Sequence, residues 1–502
     1  MRLAAIDIGS NSVRSTIVDV APDRSRTTLD EEKAYTRLGR GTVSTGLLAD
    51  EAMDETVDAL ERMLRIADGR GVTHTRAIAT AAVRGAGNGP AFIERIRSEL
   101  GLEVEVISGE HEGALALMSA ADSFDMSGSA AVLDVGGGSV EVVLAESGAM
   151  VRAISVPLGA VVMSERFGPA DPLSAKRFAR LVTHIETTLD EALGGEVGPV
   201  GMLVGSGGTV TTIGWLAAAR RGLELPGIHG FRVTAAEVSN LTRDLSLSTT
   251  KERAAMRGMP TSRVDLMVAG SAVVDAVLRA LGAAELVVNA RGMREGIVIE
   301  AVARERGSVG SFDRMRAVRE ASRGFAPGAD HAEQVRRLSC ELFDALAGPL
   351  ALPADDRPLL EAAALLHDIG YAVSHDQHNK HSHHIIIHTD LPGFDPQERR
   401  IIAAIARYHR GSLPRPKHPE IAGMSPAERN TVSRLAALLR VADGLDRSGA
   451  QRVRALALEV TSDEVVARIA GDSALDAEVY GARKKADLFE EAFARRMRIV
   501  VE

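Results

Sequence analysis

Two stretches of the chain repeat one pattern: a continuous apolar run, an acidic residue, glycine and small hydroxyl residues, then a second apolar run. "LAAIDIGSNSVRSTI" (3–17) aligns with "AAVLDVGGGSVEVVL" (130–144) at a constant offset. Asp7 falls on Asp134, Gly9 on Gly136, Ser12 on Ser139, and Arg14 on Glu141. The unbroken apolar runs predict strands buried on both faces, and the glycines between them predict a tight turn. A polar turn then leads to a third strand in each copy, ending at Leu38-Gly39 and Leu158-Gly159. A single D-x-G is weak evidence, and an ordinary hairpin explains it. Two copies with matching offsets predict duplicated lobes facing a shared cleft.

Between the copies the pattern alternates helix and strand. Met53, Val57, Leu60, Leu64 and Ala67 have helical spacing, and a glycine-rich end follows. "HTRAIATAAVRGAGN" (74–88) reads as a strand leaving into a loop that holds Arg84 and Asn88. "LEVEVISGEHEGALALMSAADSF" (102–124) reads as strand, turn and helix, with Glu110 and Glu112 in the first turn. Complementing the helix dipole is the simplest role for such glutamates, and it also keeps them ionised, as a general base must be. "GMLVGSGGTVTTIGWLA" (201–217) reads as strand, glycine loop and helix, so Gly207, Gly208 and Thr209 offer donors at a helix N-terminus.

This pattern carries chemistry. Turn N–H groups and hydroxyls at Gly9, Ser10, Asn11 and Ser12, and at Gly136, Gly137, Gly138 and Ser139, suit phosphate oxygens held from two sides. The carboxylates Asp7 and Asp134 cannot bind phosphate themselves and fit a divalent cation or its waters.

Composition narrows the partners. The chain has 502 residues, a net charge of −9 and only 3 % aromatic residues, so neither a global basic field nor a base-stacking surface for nucleic acid is expected. Its one cysteine, Cys340, allows no intrachain disulfide, which fits a reducing cytoplasm. Asp7 interrupts the N-terminus before a signal-like core forms, and no run approaches a membrane span.

"IDIGSNSVRSTIVDV", "ATAAVRGAGN", "EVISGEHEGALAL", "VLDVGGGSVEVVL", "SVPLGA", "VGSGGTVTTI", "RVDLMVAGSAVV" and "NARGMREGIV" stand in the order found in the exopolyphosphatase / guanosine pentaphosphate phosphatase family. The chain resembles that family over nearly its whole length. The resemblance implies duplicated actin-like (ribonuclease H-like) α/β lobes at 1–125 and 126–305. It implies hydrolysis of terminal phosphoanhydrides of inorganic polyphosphate, of guanosine pentaphosphate, or of both. By register Glu112 is the base and Arg84 the catalytic arginine, while Asp134 and Glu141 hold Mg²⁺ (or Mn²⁺). Asp7 and Ser10–Ser12 then shape the phosphate-binding turn. His111 and Ala114 replace a family glutamate and arginine, and Val140 replaces a threonine. A homodimer is also implied.

The last third, 306–502, changes character. A basic helix and a Gly/Pro linker are expected over 308–331, and most of the 14 histidines lie beyond. His331 is in line with Val335, Leu338 and Leu342; His409 with Ile402 and Ile405; Asp443 with Leu435 and Leu439. His367-Asp368 ends a further helix. One histidine on an apolar face is usually a satisfied core residue, but four such positions shift the balance. The order resembles the metal-dependent HD phosphohydrolase domain, which implies an all-α HD-like domain. A second divalent metal would sit at His331, His367, Asp368, His409 and Asp443. His378, Lys380, His381 and Arg410 read instead as a basic wall for a polyanion, or as a solvated loop. Two further readings follow: HD-domain catalysis with sensory N-terminal lobes, and a module that binds guanosine tetra- or pentaphosphate without catalysis.

Overall fold

The computed structural model describes all residues except 23, 169–170, 196, 307–311 and 326–328. The chain forms two compact units, Met1–Phe312 and Asp313–Glu502. Parts of the expected basic helix and linker lie outside the described residues, and the helix itself spans Arg316–Phe325.

The first unit holds two sheets of related topology. β1 (Arg2–Ile8), β2 (Val13–Val20), β3 (Arg26–Ala34), β4 (His74–Ala79) and β5 (Val104–Val106) order as β3-β2-β1-β4-β5. β6 (Ser129–Val135), β7 (Val140–Glu146), β8 (Ala149–Val156), β9 (Met202–Ser206), β10 (Arg232–Thr234) and β11 (Glu285–Val288) order as β10-β11-β9-β6-β7-β8. In each sheet three antiparallel strands come first, followed by parallel additions. These are duplicated actin-like lobes. Asp7 pairs with Arg14 and Asp134 with Glu141, the cross-strand partners that the repeat aligns.

The turns repeat as well. Gly9 N donates to Ser12 O at 3.2 Å, and Gly136 N to Ser139 O at 3.1 Å. Beyond the third strands, Gly39 N donates to Ser10 O and Gly159 N to Gly138 O. Each glycine that follows a third strand thus straps its own lobe's turn in place. β1 is buried on both faces as its apolar run requires. Ile6 and Ile8 pack with Leu60, Met63 and Phe92, while Leu3 and Ala5 pack with Ile297 and Val298.

The helix Gly109–Ser123 packs against both sheets. Leu115 joins the β1 side of the first lobe; Ala116, Leu117 and Ala120 join Ala130, Val132 and Val143 of the second. The helix Met293–Arg306, within the range expected for the second lobe, packs on Gly109–Ser123 and β1 of the first.

The second unit is largely helical, around a core built by the helices Ala329–Leu346, Arg357–Leu366, Pro396–Arg407 and Pro426–Gly444. It is not all-α, which corrects that expectation. β12 (Val453–Val460), β13 (Glu464–Gly471) and β14 (Arg496–Val501) form a three-stranded sheet. Leu456, Leu458 and Val460 alternate toward the core with Val465, Ala467 and Ile469, a period of two that no helix can bury. The stretch 375–394 is likewise not a loop throughout, since His378–His388 is helical.

Candidate active site

The two glycine turns meet at a cleft of about 350 Å³ in the first unit. A Cβ on Gly138 would lie 2.7 Å from Ser10 Oγ, so only glycine permits this approach. Asp7, Gly9, Ser10, Asn11, Ser12, Asp134, Gly136, Gly137, Gly138, Ser139, Gly207, Gly208 and Glu112 all line the cleft, whereas Arg84 lines a neighbouring cavity and Glu141, 1 % exposed, is not among the lining residues.

Thr209 does not, which is a correction. On the helix Gly208–Arg220, the residues Gly208, Thr211, Thr212 and Trp215 share the face toward the cleft, at i, i+3, i+4 and i+7. Thr209 lies on another face. It is fully buried, and a Cβ on Gly270 would sit 2.7 Å from its Cγ2.

One wall is acidic. Glu112 is 4 % exposed, whereas its neighbour Glu110 is exposed, so only Glu110 fits the simple dipole role. Ser108 caps this helix by accepting from His111 N at 3.1 Å. Arg84 Nη1 donates to Glu112 Oε1 at 2.5 Å and to Ile107 O at 2.6 Å, so it grips the glutamate directly. Burial pushes Glu112 up to about 7, against the opposing pull of Arg84. Desolvation thus outweighs the helix dipole that was expected to keep it fully ionised. Asn88 clamps the backbone of Leu48 through both its amide atoms and takes no part in the cleft.

Asp134 accepts from Ser206 Oγ at 2.6 Å, and Glu141 from Ser155 Oγ at 2.8 Å. Burial raises Asp7 to about 6 and lifts Asp134. Glu141 is raised well above its ordinary value by burial and then by Glu112 and Asp134. Asp7 Oδ1 and Asn11 Nδ2 are buried without a hydrogen bond. Carboxylates crowded this way resist joint ionisation unless a cation joins them. The donors are hard oxygens, so the set fits Mg²⁺ or Mn²⁺.

The other wall is cationic, and sequence reasoning did not single it out. Arg14, Lys33, Arg263, Arg291 and Arg294 line it. Among the described residues, Arg14, Lys33 and Arg263 take part in no ion pair within 4 Å. Burial lowers Arg263 to about 10, and Arg14 adds to the effect. Burial, then Arg14, also lowers Lys33. Arg263 stacks so close to the helix start that a Cβ on Gly208 would overlap its guanidinium. Clustered cations without carboxylate partners are costly unless an anion arrives.

In the second unit, all five expected residues converge. His331 Nε2 lies 3.7 Å from Asp368 Oδ2 and 3.7 Å from Asp443 Oδ1, and His367 Nε2 lies 3.4 Å from Asp368 Oδ2. His409 Nε2 lies 3.6 Å from Asp368 Oδ1. His378 joins them, 3.2 Å from Asp368 Oδ1 and 1 % exposed, so it belongs to this cluster and not to an exposed wall. Burial lowers His409 to about 3, and His367 adds to this. Burial opposes ionisation of Asp368, yet His367, His378 and His409 hold its carboxyl well below its ordinary value. Asp446 and Lys485, also unforeseen, hold His331 Nδ1 and Asp443 Oδ2.

A duplicated α/β fold that sets carboxylates and cations across two glycine turns defines a class of phosphate-handling protein. Comparison with known proteins narrows it. Residues 16–305 match the Ppx/GppA phosphatase family and residues 314–475 match Ppx/GppA phosphatase, domain III. The chain belongs to the Ppx/GppA phosphatase family.

It is 28 % identical over 441 residues to the guanosine-5'-triphosphate,3'-diphosphate pyrophosphatase of Vibrio campbellii, covering 87 % of this chain and 86 % of that one. It is 31 % identical over 306 residues to exopolyphosphatase 1 of Mycobacterium leprae, covering 60 % of this chain and 89 % of that one. The crystal structure of the Aquifex aeolicus Ppx/GppA family member aligns with a TM-score of 0.54 at 32 % identity, covering 61 % of this chain and 99 % of that one. An exopolyphosphatase from Cytophaga hutchinsonii aligns with a TM-score of 0.57 at 26 % identity, covering 62 % and 100 %.

Proposed function

We propose that this chain hydrolyses the terminal phosphoanhydride of inorganic polyphosphate, releasing orthophosphate. The observation that carries the reading is the division of one cleft into a buried carboxylate wall and a wall of cations, Arg14, Lys33 and Arg263, that have no ion-pair partner among the described residues. Phosphoryl transfer asks mostly for positioning and charge stabilisation. The turn N–H groups of Ser10–Ser12 and Gly137–Ser139 hold the terminal phosphoryl oxygens. Arg14, Lys33 and Arg263 neutralise the chain behind them.

Glu112 takes a proton from the attacking water, whose oxygen bonds to the terminal phosphorus. The bridging P–O bond breaks, and its electron pair leaves on the shortened chain. A raised carboxyl near 7 is matched to this task at neutral pH. Arg84 positions Glu112. Asp134 and Glu141 would hold Mg²⁺ (or Mn²⁺), which supplies charge neutralisation at the transferring and leaving oxygens.

Guanosine pentaphosphate is the second reading. It is favoured by the Vibrio relative, which aligns over both units and bears a pyrophosphatase name for that nucleotide. The reading includes a cytoplasmic homodimer that binds no nucleic acid. Among the described residues no helix is long and apolar enough to cross a membrane.

The test is phosphate release from long polyphosphate and from guanosine pentaphosphate, with Mg²⁺ and with chelator, alongside Asp368→Ala. Metal-dependent release from either substrate that survives Asp368→Ala supports the reading. Release that disappears in Asp368→Ala moves catalysis to the second unit and overturns it.

A further inference from the structure

A second cavity, of about 500 Å³, adjoins the cleft behind the two glycine turns. We propose that it is a product site, which receives the orthophosphate and lets it out while the shortened chain stays seated in the cleft. The inference rests on the phosphatase reading of the cleft and adds a separate site to it.

The two spaces share one partition. Ser10, Ala81, Gly137, Gly138 and Ser139 line both. No side chain in this partition is larger than serine. A Cβ on Gly137 would already lie 3.0 Å from Ser10 Cβ, so bulkier residues would block it. The partition is also where the turn N–H groups meet the terminal phosphoryl group. An orthophosphate formed there borders both spaces, and a slight parting of the lobes joins them.

The charges differ on the two sides. The cleft holds five cations and the buried carboxylates, whereas Arg84 is the one charged residue among the described residues lining the cavity. Arg84 Nη1 is committed to Glu112 Oε1 and Ile107 O. Its Nε and Nη2 make no hydrogen bond among the described residues, and the side chain is 31 % exposed. Arg84 Nη2 and Ser155 Oγ converge on Gly109, where an added Cβ would lie 3.7 and 2.3 Å from them. Nη2 offers a donor to a phosphate oxygen. Ser155 Oγ gives its hydrogen to Glu141 and so can accept from a P–OH group. Orthophosphate carries P–OH at neutral pH, and an internal unit of the chain does not. A single, partly exposed guanidinium holds an anion weakly, as release requires.

The reaction has a direction as well. Attacking and leaving oxygens lie roughly in line across the phosphorus. The leaving chain points to Arg14, Lys33 and Arg263, so the new P–O bond forms on the face away from them, toward the cavity. The seated chain closes the route through the cleft, and the carboxylate wall repels a free dianion there.

The test plugs the cavity in the folded, full-length chain. Gly85 lines it, is exposed, and an added Cβ there meets nothing within 4 Å. In Gly85→Cys the introduced thiol is labelled selectively, because Cys340 is buried. Methyl and benzyl methanethiosulfonate give a small and a bulky mixed disulfide, counted by mass spectrometry and removed by reductant. With long polyphosphate and Mg²⁺, acid quench reads orthophosphate cleaved and a phosphate-binding sensor reads orthophosphate free. The benzyl label is expected to leave a burst of one cleaved equivalent at the unlabelled rate. It should slow the steady appearance of free orthophosphate at least tenfold, with recovery in reductant and little effect from the methyl label. Complete benzyl labelling without slowing overturns the proposal. Equal slowing of cleaved and free orthophosphate in the first turnover overturns it too. Val43→Cys, at a position 47 % exposed on the same cavity, carries the test if Gly85→Cys is inactive. No release at all from wild type overturns the reading of the cleft, and this inference with it.

Discussion

Replacing Glu112 with Gln is predicted to make the metal-free protein more stable at alkaline pH while removing its base. Burial raises the Glu112 carboxyl from 4.5 to about 7. The folded state therefore binds more protons than the unfolded state between those values, and stability falls as pH rises through that window. The penalty is absent below about pH 4.5 and complete above about pH 7. At about 1.4 kcal/mol per pH unit it reaches about 3 kcal/mol. This is an upper bound, because Asp7, Asp134 and Glu141 share the same buried space and relax together. Gln keeps an oxygen for Arg84 but cannot ionise, so it avoids the penalty. Calorimetry of the full chain in chelator, at pH 5 and pH 8, reads the effect. A stabilisation of 1 kcal/mol moves a large domain's midpoint by about 2–4 °C. The midpoint of the first unit in Glu112→Gln should exceed wild type by several degrees at pH 8 and by little at pH 5. A variant that is less stable than wild type at pH 8, or equally shifted at both pH values, refutes the assignment of Glu112 as a desolvated carboxyl.

Three further predictions test the cleft. Gly138→Ala places a Cβ 2.7 Å from Ser10 Oγ and 2.9 Å from Ala81 Cβ. It should lower phosphate release at least tenfold, with a stability cost of about 1–3 kcal/mol read by denaturant titration. Lys33→Ala and Arg263→Ala should each raise KM for polyphosphate more than they lower kcat, and should flatten the dependence of KM on ionic strength; unchanged salt dependence in both would remove the cationic wall from the account. Thr209→Val should retain activity and keep stability within about 1 kcal/mol, since its buried hydroxyl has no hydrogen-bond partner; a loss of phosphate affinity would return Thr209 to the binding site.

The duplicated hairpins were legible because a repeat constrains itself: Asp7, Gly9 and Ser12 match Asp134, Gly136 and Ser139, and the register follows. The direction of Glu112 was harder to read. Its helix is rich in Ala, Leu and Gly and buries several faces against two sheets, so periodicity selects no single side. Thr209 could have been set aside by helical spacing, since Gly208, Thr211, Thr212 and Trp215 form the cleft face. Lys33 lies on β3, an edge strand whose polar alternation reads as solvent-facing. Strand register sets it opposite Arg14, and only tertiary packing adds Arg263 to the pair. His378 stands in a stretch of six histidines between 375 and 388, where spacing alone singles out none of them. The alternation of Leu456, Leu458 and Val460 did signal a strand, against the helical character of the rest of that unit.

The central claim is that the cleft between the two glycine turns is where the phosphoanhydride is cleaved, with Glu112 as base. Orthophosphate release in the presence of Mg²⁺ should be measured for wild type and Glu112→Gln, on polyphosphate and guanosine pentaphosphate, with folding checked in the same preparations. A well-folded Glu112→Gln chain should lose about 10²–10⁴-fold in kcat on whichever substrate wild type cleaves. Wild-type rates in that variant would contradict the account.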